Sequence, residues 1–293
     1  MSELPGMNTP PVTEFITLIV DGAEAHLRLS REEKYNALNG QMIDELIHLL
    51  KWTAARSVGL TGELCDAIGT PYLRVLRISG DGKHFCAGAD INMMREAGTK
   101  TLAENREDSS RLDRLFNGLW AHPCFTIGVV QGVALGGGAG LIACMDYVIA
   151  TSDSKIALSE GKLGILPAVI GPYVYRRVGG ACFRRLAMQA SRIGSEEALR
   201  IGLIEQVVDS VSNLVVSGDE ISSEVMSTGP MAVAAAKELA LGFDRWTGTD
   251  EELRQWTLDF TSRMRGSGEG QEGLSSFLES RSPAWHPDVG PES

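Results

Sequence analysis

Basic residues are in short supply: 27 Lys and Arg stand against 38 Asp and Glu, a formal net charge of −11 over 293 residues. That balance argues against nucleic acid or an anionic membrane as the main partner, while leaving room for a local basic patch around a phosphorylated ligand. Cysteine is scarce and scattered. Cys65, Cys86, Cys124, Cys144 and Cys182 form no C-x-x-C pair, and the odd count suits reduced thiols in a cytoplasm-like compartment rather than a disulfide frame. No apolar run approaches the roughly 18 residues of a membrane span. Met1 to Thr13 carries Glu3 and three prolines, with neither the apolar core of a signal peptide nor the Arg-rich face of a transit peptide. The five histidines show no H-E-x-x-H or other ligand spacing, so neither a metal nor a redox cofactor is expected. These absences leave a soluble cytoplasmic protein, 43% hydrophobic and able to build a proper core, behind a loose arm over residues 1–13.

What is present centres on residues 125–146. An apolar, β-branched run ends in Gly136-Gly137-Gly138, and helix formers then lead to Asp146, which reads as strand, glycine turn, helix. Such a turn points free N–H groups and the positive end of a helix dipole at one spot, with no Cβ in the way, so it suits a negative oxygen. Nucleotide phosphate fits poorly. Leu141 stands where the third glycine of G-x-G-x-x-G belongs, a shifted register starts inside the helix, and the P-loop ending is absent. Three glycines can also serve only close helix-to-strand packing, so context has to decide.

Along the rest of the chain, Phe15–Val20 and Ala23–Leu29 predict a hairpin over Asp21-Gly22. A helix follows through Met42 to Lys51, then a long connection over 57–71, and a strand over Leu73–Ser79. The small-residue loop Lys83 to Ile91 leads into a helix at Asn92–Glu96, and another helix runs from Leu102 to Trp120. Tyr147–Thr151 and Lys155–Leu158 are strand candidates. From about residue 181 the pattern turns helical, at Cys182–Ala190, Glu196–Ile201, Asp219–Met226, Met231–Gly242, Asp250–Met264 and Glu272–Leu278. Residues 266–273 and 282–293 read as a mobile connection and a frayed tail. Alternating β and α predicts an α/β fold on a mainly parallel sheet.

Two small-residue loops, each after a strand, can supply one N–H apiece, from Ala89 and from Gly137. Two main-chain donors aimed at one carbonyl form an oxyanion hole, and losing one such donor costs about 3 kcal/mol of transition-state stabilisation. The stretches 36–39 (Asn-Ala-Leu-Asn), 85–91 (Phe-Cys-Ala-Gly-Ala-Asp-Ile), 132–138 (Gly-Val-Ala-Leu-Gly-Gly-Gly), Asp146, 164–167 (Gly-Ile-Leu-Pro) and 198–204 (Ala-Leu-Arg-Ile-Gly-Leu-Ile) resemble the crotonase family, the enoyl-CoA hydratases and isomerases, in order and at near its spacing. The resemblance implies a coenzyme A thioester gripped by the Ala89 and Gly137 amides, a ββα core over 14–210, a helical part over 211–281, a tail over 282–293, and trimers paired into hexamers.

The acid-base residues depart from the family's pattern. Its hydratases resemble one another in using two glutamates; here the first position is Gly140, and the second matches Glu160 in Leu158-Ser159-Glu160-Gly161. One carboxylate can move a proton on a thioester whose enolate is stabilised, but hydration also needs the water to be oriented. The stretch 158–174 further resembles the hydratases of branched, carboxylated acyl groups such as methylglutaconyl-CoA and isohexenylglutaconyl-CoA. On that footing Gly140 leaves room for a substrate carboxylate. An isomerase with one glutamate, or a non-catalytic acyl-CoA binder, are the alternatives. The resemblance also places Lys34 near the phosphates or adenine of coenzyme A, the main chains of Ala37, Ala87 and Ile91 near adenine and pantetheine, and Leu135, Gly136 and Gly140 beside the acyl group, with Met93, Met94, Ala97 and C-terminal helices lining its pocket. Asp90 joins this contact set but fits a helix cap better. The segment 157–161 misses the first glycine and the helix of a G-x-S-x-G nucleophile elbow.

Overall fold

The computed structural model describes residues 9–59 and 61–289. In chain order the strands and α-helices are β1 (Ile16–Asp21), β2 (Glu24–Leu29), α1 (Gly40–Ala55), β3 (Val75–Gly80), α2 (Ile91–Ala97), α3 (Leu102–Trp120), β4 (Phe125–Val130), β5 (Val133–Leu135), α4 (Gly137–Ala143), β6 (Tyr147–Thr151) and β7 (Lys155–Ala157). A 3₁₀ turn covers Ser159–Leu163, and α5 (Gly171–Gln189), β8 (Ile193–Gly194), α6 (Ser195–Arg200), β9 (Gln206–Val208), α7 (Val211–Ser227), α8 (Pro230–Arg245), α9 (Asp250–Arg265) and α10 (Gly268–Leu278) follow. The main sheet runs β1-β2-β3-β4-β6-β9, antiparallel only between β1 and β2, and a smaller sheet runs β5-β7-β8.

Strand alternation buries both faces of the main sheet. Leu76, Ile78, Val148 and Ala150 point into a core shared with α1 and α3, whereas Val75, Ile127, Val129 and Ile149 pack against Leu214 and Val225 of α7. Asn39 caps α1 by accepting from the Met42 N–H at 2.8 Å, and Thr101 with Glu104 forms a capping box on α3.

The single apolar strand expected before the glycine turn is two strands in two sheets. Gly132, at φ 65°, breaks the run, so β4 stays in the main sheet while β5 turns away to pair with β7. Helix α5 also begins a full ten residues before the expected change of pattern; Pro172 occupies its first turn, and Gly179 at φ 74° kinks it, which blurs the period. The stretch 268–273 is helical rather than a connection. Its Glu269 accepts from the Met231 and Ala232 N–H groups at 2.8 Å each, so tertiary contact holds a glycine-rich turn that propensity alone would leave unwound. The tail is docked through residue 285: Trp285 Nε1 donates to the Ser227 carbonyl at 3.2 Å, and the Ala284 N–H donates to Glu272. Residues 1–8 of the expected arm and 290–293 of the tail lie outside the described residues.

No helix among the described residues is long and apolar enough to cross a membrane.

Candidate active site

Four chain segments are laced together by main-chain bonds. Leu38 N–H donates to the Gly88 carbonyl at 2.7 Å and Asp90 N–H to the Leu38 carbonyl at 2.9 Å; Cys86 N–H reaches Val133 and Leu135 N–H returns to Cys86, both at 3.0 Å; Gly136 N–H donates to Ala157 at 2.8 Å. The ladder uses the Gly88 carbonyl and the Asp90 amide around Ala89 and the Gly136 amide before Gly137, and it leaves the Ala89 and Gly137 amides without an internal acceptor among the described residues. Gly137 is the first residue of α4, where the helix itself offers no acceptor. The two loops meet closely: a Cβ built on Gly137 would lie 3.9 Å from the Ala89 nitrogen, and one on Gly88 would lie 3.6 Å from the Gly137 nitrogen.

Gly88 explains why this contact is possible. Its φ is 96°, and a Cβ there would stand 2.7 Å from the Leu135 carbonyl oxygen. Only glycine lets the two strand ends approach so closely.

Glu160 sits in the 3₁₀ turn after β7 and reaches back toward the turn into α4, its Oε1 lying 3.2 Å from where a Gly136 Cβ would be. Its Oε2 is buried and has no hydrogen-bond partner. Burial pushes the carboxyl above the ordinary glutamate range, against the opposing pull of its own backbone N–H. A buried carboxylate oxygen without a partner is costly unless a ligand or a proton completes it.

Ala89, Gly137 and Glu160 line one cleft of about 700 Å³ together with Ile91. Met93, Met94 and Ala97 of α2 line it as expected, but its other walls are α3 and the segment 163–170, with no residue of α7 to α10 among them. This corrects the expected share of the C-terminal helices. The spacing of Asn105, Ser109, Leu112 and Phe116 was the signal that α3 offers a face to the site.

The expected room beside Gly140 is absent. A Cβ there would fall 2.3 Å from Ile170 Cγ2 and 3.0 Å from Phe116 Cε1, so apolar side chains fill that place. No other carboxylate except Asp108 lines the cleft, and Asp108 is paired with Lys100 at 2.5 Å.

The remaining expected contacts lie outside the cleft wall. Asp90 caps α2 by accepting from the Asn92 N–H and pairs with Arg31, each at 2.8 Å. Burial pushes its carboxyl up, but the Arg31 and Asn92 hydrogen bonds together outweigh that and hold it below the usual aspartate range. Lys34 is exposed at the end of a 3₁₀ turn over Glu32–Lys34, just before Asn36. Ala37 has both main-chain groups engaged, by Lys34 and Arg31, and the Ala87 N–H donates to the Tyr35 carbonyl. Leu135 and Gly136 contribute position rather than surface: the Leu135 carbonyl abuts Gly88, and Gly136 faces Glu160. Among the described residues no group of three or more His, Cys, Asp or Glu is placed to hold a metal.

Known proteins resemble this chain over most of its length. A family profile described as "Enoyl-CoA hydratase/isomerase" matches residues 22–288. The short-chain-enoyl-CoA hydratase of Clostridium acetobutylicum is 31% identical over 271 residues, covering 91% of this chain and 95% of that protein. The crotonyl-CoA hydratase of Syntrophomonas wolfei is 33% identical over 226 residues, covering 75% and 84% respectively. Among solved structures, an enoyl-CoA hydratase from Shewanella pealeana superposes with a TM-score of 0.83 at 34% identity, over 93% of this chain and 96% of that one.

Proposed function

The chain belongs to the enoyl-CoA hydratase/isomerase family, and from that premise we propose that it is an enoyl-CoA hydratase adding water across the 2,3 double bond of a coenzyme A thioester. The thioester carbonyl accepts from the Ala89 and Gly137 amides, which stabilise the enolate as it forms. Glu160 takes a proton from water while the water oxygen bonds to C3, and then returns that proton to C2. One carboxylate thus serves both halves, and its raised pKa suits a group that must hold the proton between them. The observation that carries this reading is the partnerless, buried Glu160 Oε2 on a side chain lining the same cleft as two amides without acceptors.

A second reading is favoured by the Ile170 and Phe116 contact at Gly140. With no second carboxylate to orient water, Glu160 can instead carry a proton between C2 and C4 and shift the double bond. Incubation with crotonyl-CoA and with a 3-enoyl-CoA separates the two. Hydration of the first supports the hydratase; a shift of the second with no uptake of water overturns it. Glu160→Gln lowers kcat about 10²- to 10⁴-fold in either case; unaltered turnover would show that Glu160 is not the acid-base group, and a parent protein that turns over neither substrate would leave only a binding protein.

The narrower expectation of a branched or carboxylated acyl group loses its seat beside Gly140; the cation in the cleft wall, Arg95, is exposed on α2. Coenzyme A itself extends past Leu38 and Ile91 toward Lys34, with Ala87 offering its carbonyl. Trimers paired into hexamers in the cytoplasm complete the proposal, and exposed Leu258, Leu274, Phe277 and Leu278 on α9 and α10 supply apolar surface for such contacts.

A further inference from the structure

The cleft is longer than the reacting atoms require. From Phe116, which touches the Gly140 side of α4, its wall follows one face of α3 through Leu112 and Ser109 to Asn105. Those positions recur every three or four residues and so lie in one row, which reaches Ser109 after about 10 Å and Asn105 after about 16 Å at the helical rise. The chemistry changes along that row. Phe116 is buried and Leu112 half-buried, and they share the cleft lining with Met93 and Met94 of α2, whereas Ser109, Asp108 and Asn105 are polar.

The polar end is braced. Asn105 Nδ2 donates to the Ala97 carbonyl at 2.9 Å, tying α3 to the last residue of α2, and Asp108 is held by Lys100. An apolar chain advancing along α3 therefore gains contacts past Phe116 and Leu112 and then meets groups that it would have to strip of water. Two flexible thioethers, Met93 and Met94, line the same cleft, a lining that adapts to a chain but not to a polar branch.

We infer that this row of α3 measures the acyl group, and that the site selects linear, medium-length 2-enoyl thioesters over the four-carbon one. The inference rests on the assignment of the cleft to an enoyl-CoA substrate. A crotonyl group leaves the Leu112, Met93 and Met94 surfaces uncovered. Each two-carbon extension along them raises kcat/KM about tenfold, from the usual gain per buried methylene. The gain ends where the row turns polar.

The test is kcat/KM of the purified protein for crotonyl-, 2-hexenoyl-, 2-octenoyl- and 2-dodecenoyl-CoA, repeated with Leu112→Trp, which blocks the row beyond Phe116. The expected result is a rise of about a hundredfold from crotonyl to octenoyl, no further gain at dodecenoyl, and an octenoyl-to-crotonyl ratio that drops about tenfold or more in the variant. A best rate with crotonyl, a gain continuing through dodecenoyl, or a variant that lowers all four equally overturns it. If no enoyl-CoA is turned over, the assigned reaction fails, and calorimetric affinities for butyryl-, hexanoyl- and octanoyl-CoA decide the length preference independently. A flat series there overturns the inference as well.

Discussion

At the scale of single residues, the site turns on what stands beside the amides and what stands beside Gly140. Glu160 must be ionised to take a proton, and burial raises the pH at which it ionises. The rate therefore rises with pH through a midpoint above the ordinary glutamate value, and a profile measured with crotonyl-CoA that is flat through that range contradicts Glu160 as the base. The stability effect has its own sign. A carboxyl with a raised folded pKa holds more protons folded than unfolded, so its contribution falls as pH rises through that window. Gly140→Glu drives new atoms into Ile170 and Phe116 and destabilises the fold by about 3 kcal/mol, read as a lower urea midpoint. The pair Gly140→Glu with Ile170→Ala recovers most of that loss, and failure to recover would mean that Ile170 is not what fills the place. Glu160 was legible in the sequence because its neighbours carry the family's pattern. Ile170 was not, since its meeting with Gly140 is a tertiary contact between residues thirty positions apart.

At the scale of elements, function depends on the ladder that locks the 85–91 loop to β5 and α4. Gly88 and Gly138 are its tight points, where a Cβ would lie 2.7 Å from the Leu135 carbonyl and 2.4 Å from the Cys86 carbonyl. Gly88→Ala puts a Cβ against the Leu135 carbonyl and forces a side chain into a positive-φ conformation, a strain of about 1 to 3 kcal/mol. The loop can relieve it only by moving, and the Ala89 amide moves with it. The expected outcome is a folded protein whose kcat drops about 10²-fold or more, as for any lost oxyanion donor; a kcat within twofold of the parent would show that the amide need not stay where it is. The two glycine-bearing loops were readable because small residues after strands leave few other uses. The split of β4 from β5 was not readable. Gln131-Gly132 interrupts an apolar run only briefly, and which sheet each half joins depends on partners far away in sequence. The same limit hid the start of α5 behind its glycines, and hid α10, whose Ser267 cap and Glu269 contacts with α8 outweigh poor helix propensity.

At the scale of the molecule, the C-terminal helices are anchored to the sheet by a buried cation. Lys237 of α8, with its side chain 11% exposed, reaches Asp146 at 2.5 Å and the carbonyls of His122 and Cys124 at 2.8 Å. Asp146 in turn accepts from the Thr126 N–H and hydroxyl at the edge of β4, so one ammonium joins α8 to the main sheet just behind α4. His122 is buried beside it, and burial, aided by the Lys237 charge, lowers its pKa to about 3. An unfolded histidine binds a proton near its ordinary value of about 6.5. Folding stability therefore falls as pH drops from there toward about 3, and His26, lowered to about 4 by burial and by Arg77 and Arg28, acts in the same direction. Lys237→Met removes the charge but keeps the stem. It leaves Asp146 and two carbonyls without their donor and costs about 3 kcal/mol at neutral pH, as for a broken buried pair. It also takes away the cation that opposes protonation of His122, so the gap between variant and parent narrows as the pH is lowered. Urea midpoints measured from neutral to acidic pH read both effects. A gap that is constant across that range would separate the lysine from the histidine, and an unchanged midpoint at neutral pH would mean that α8 is held by its apolar face alone.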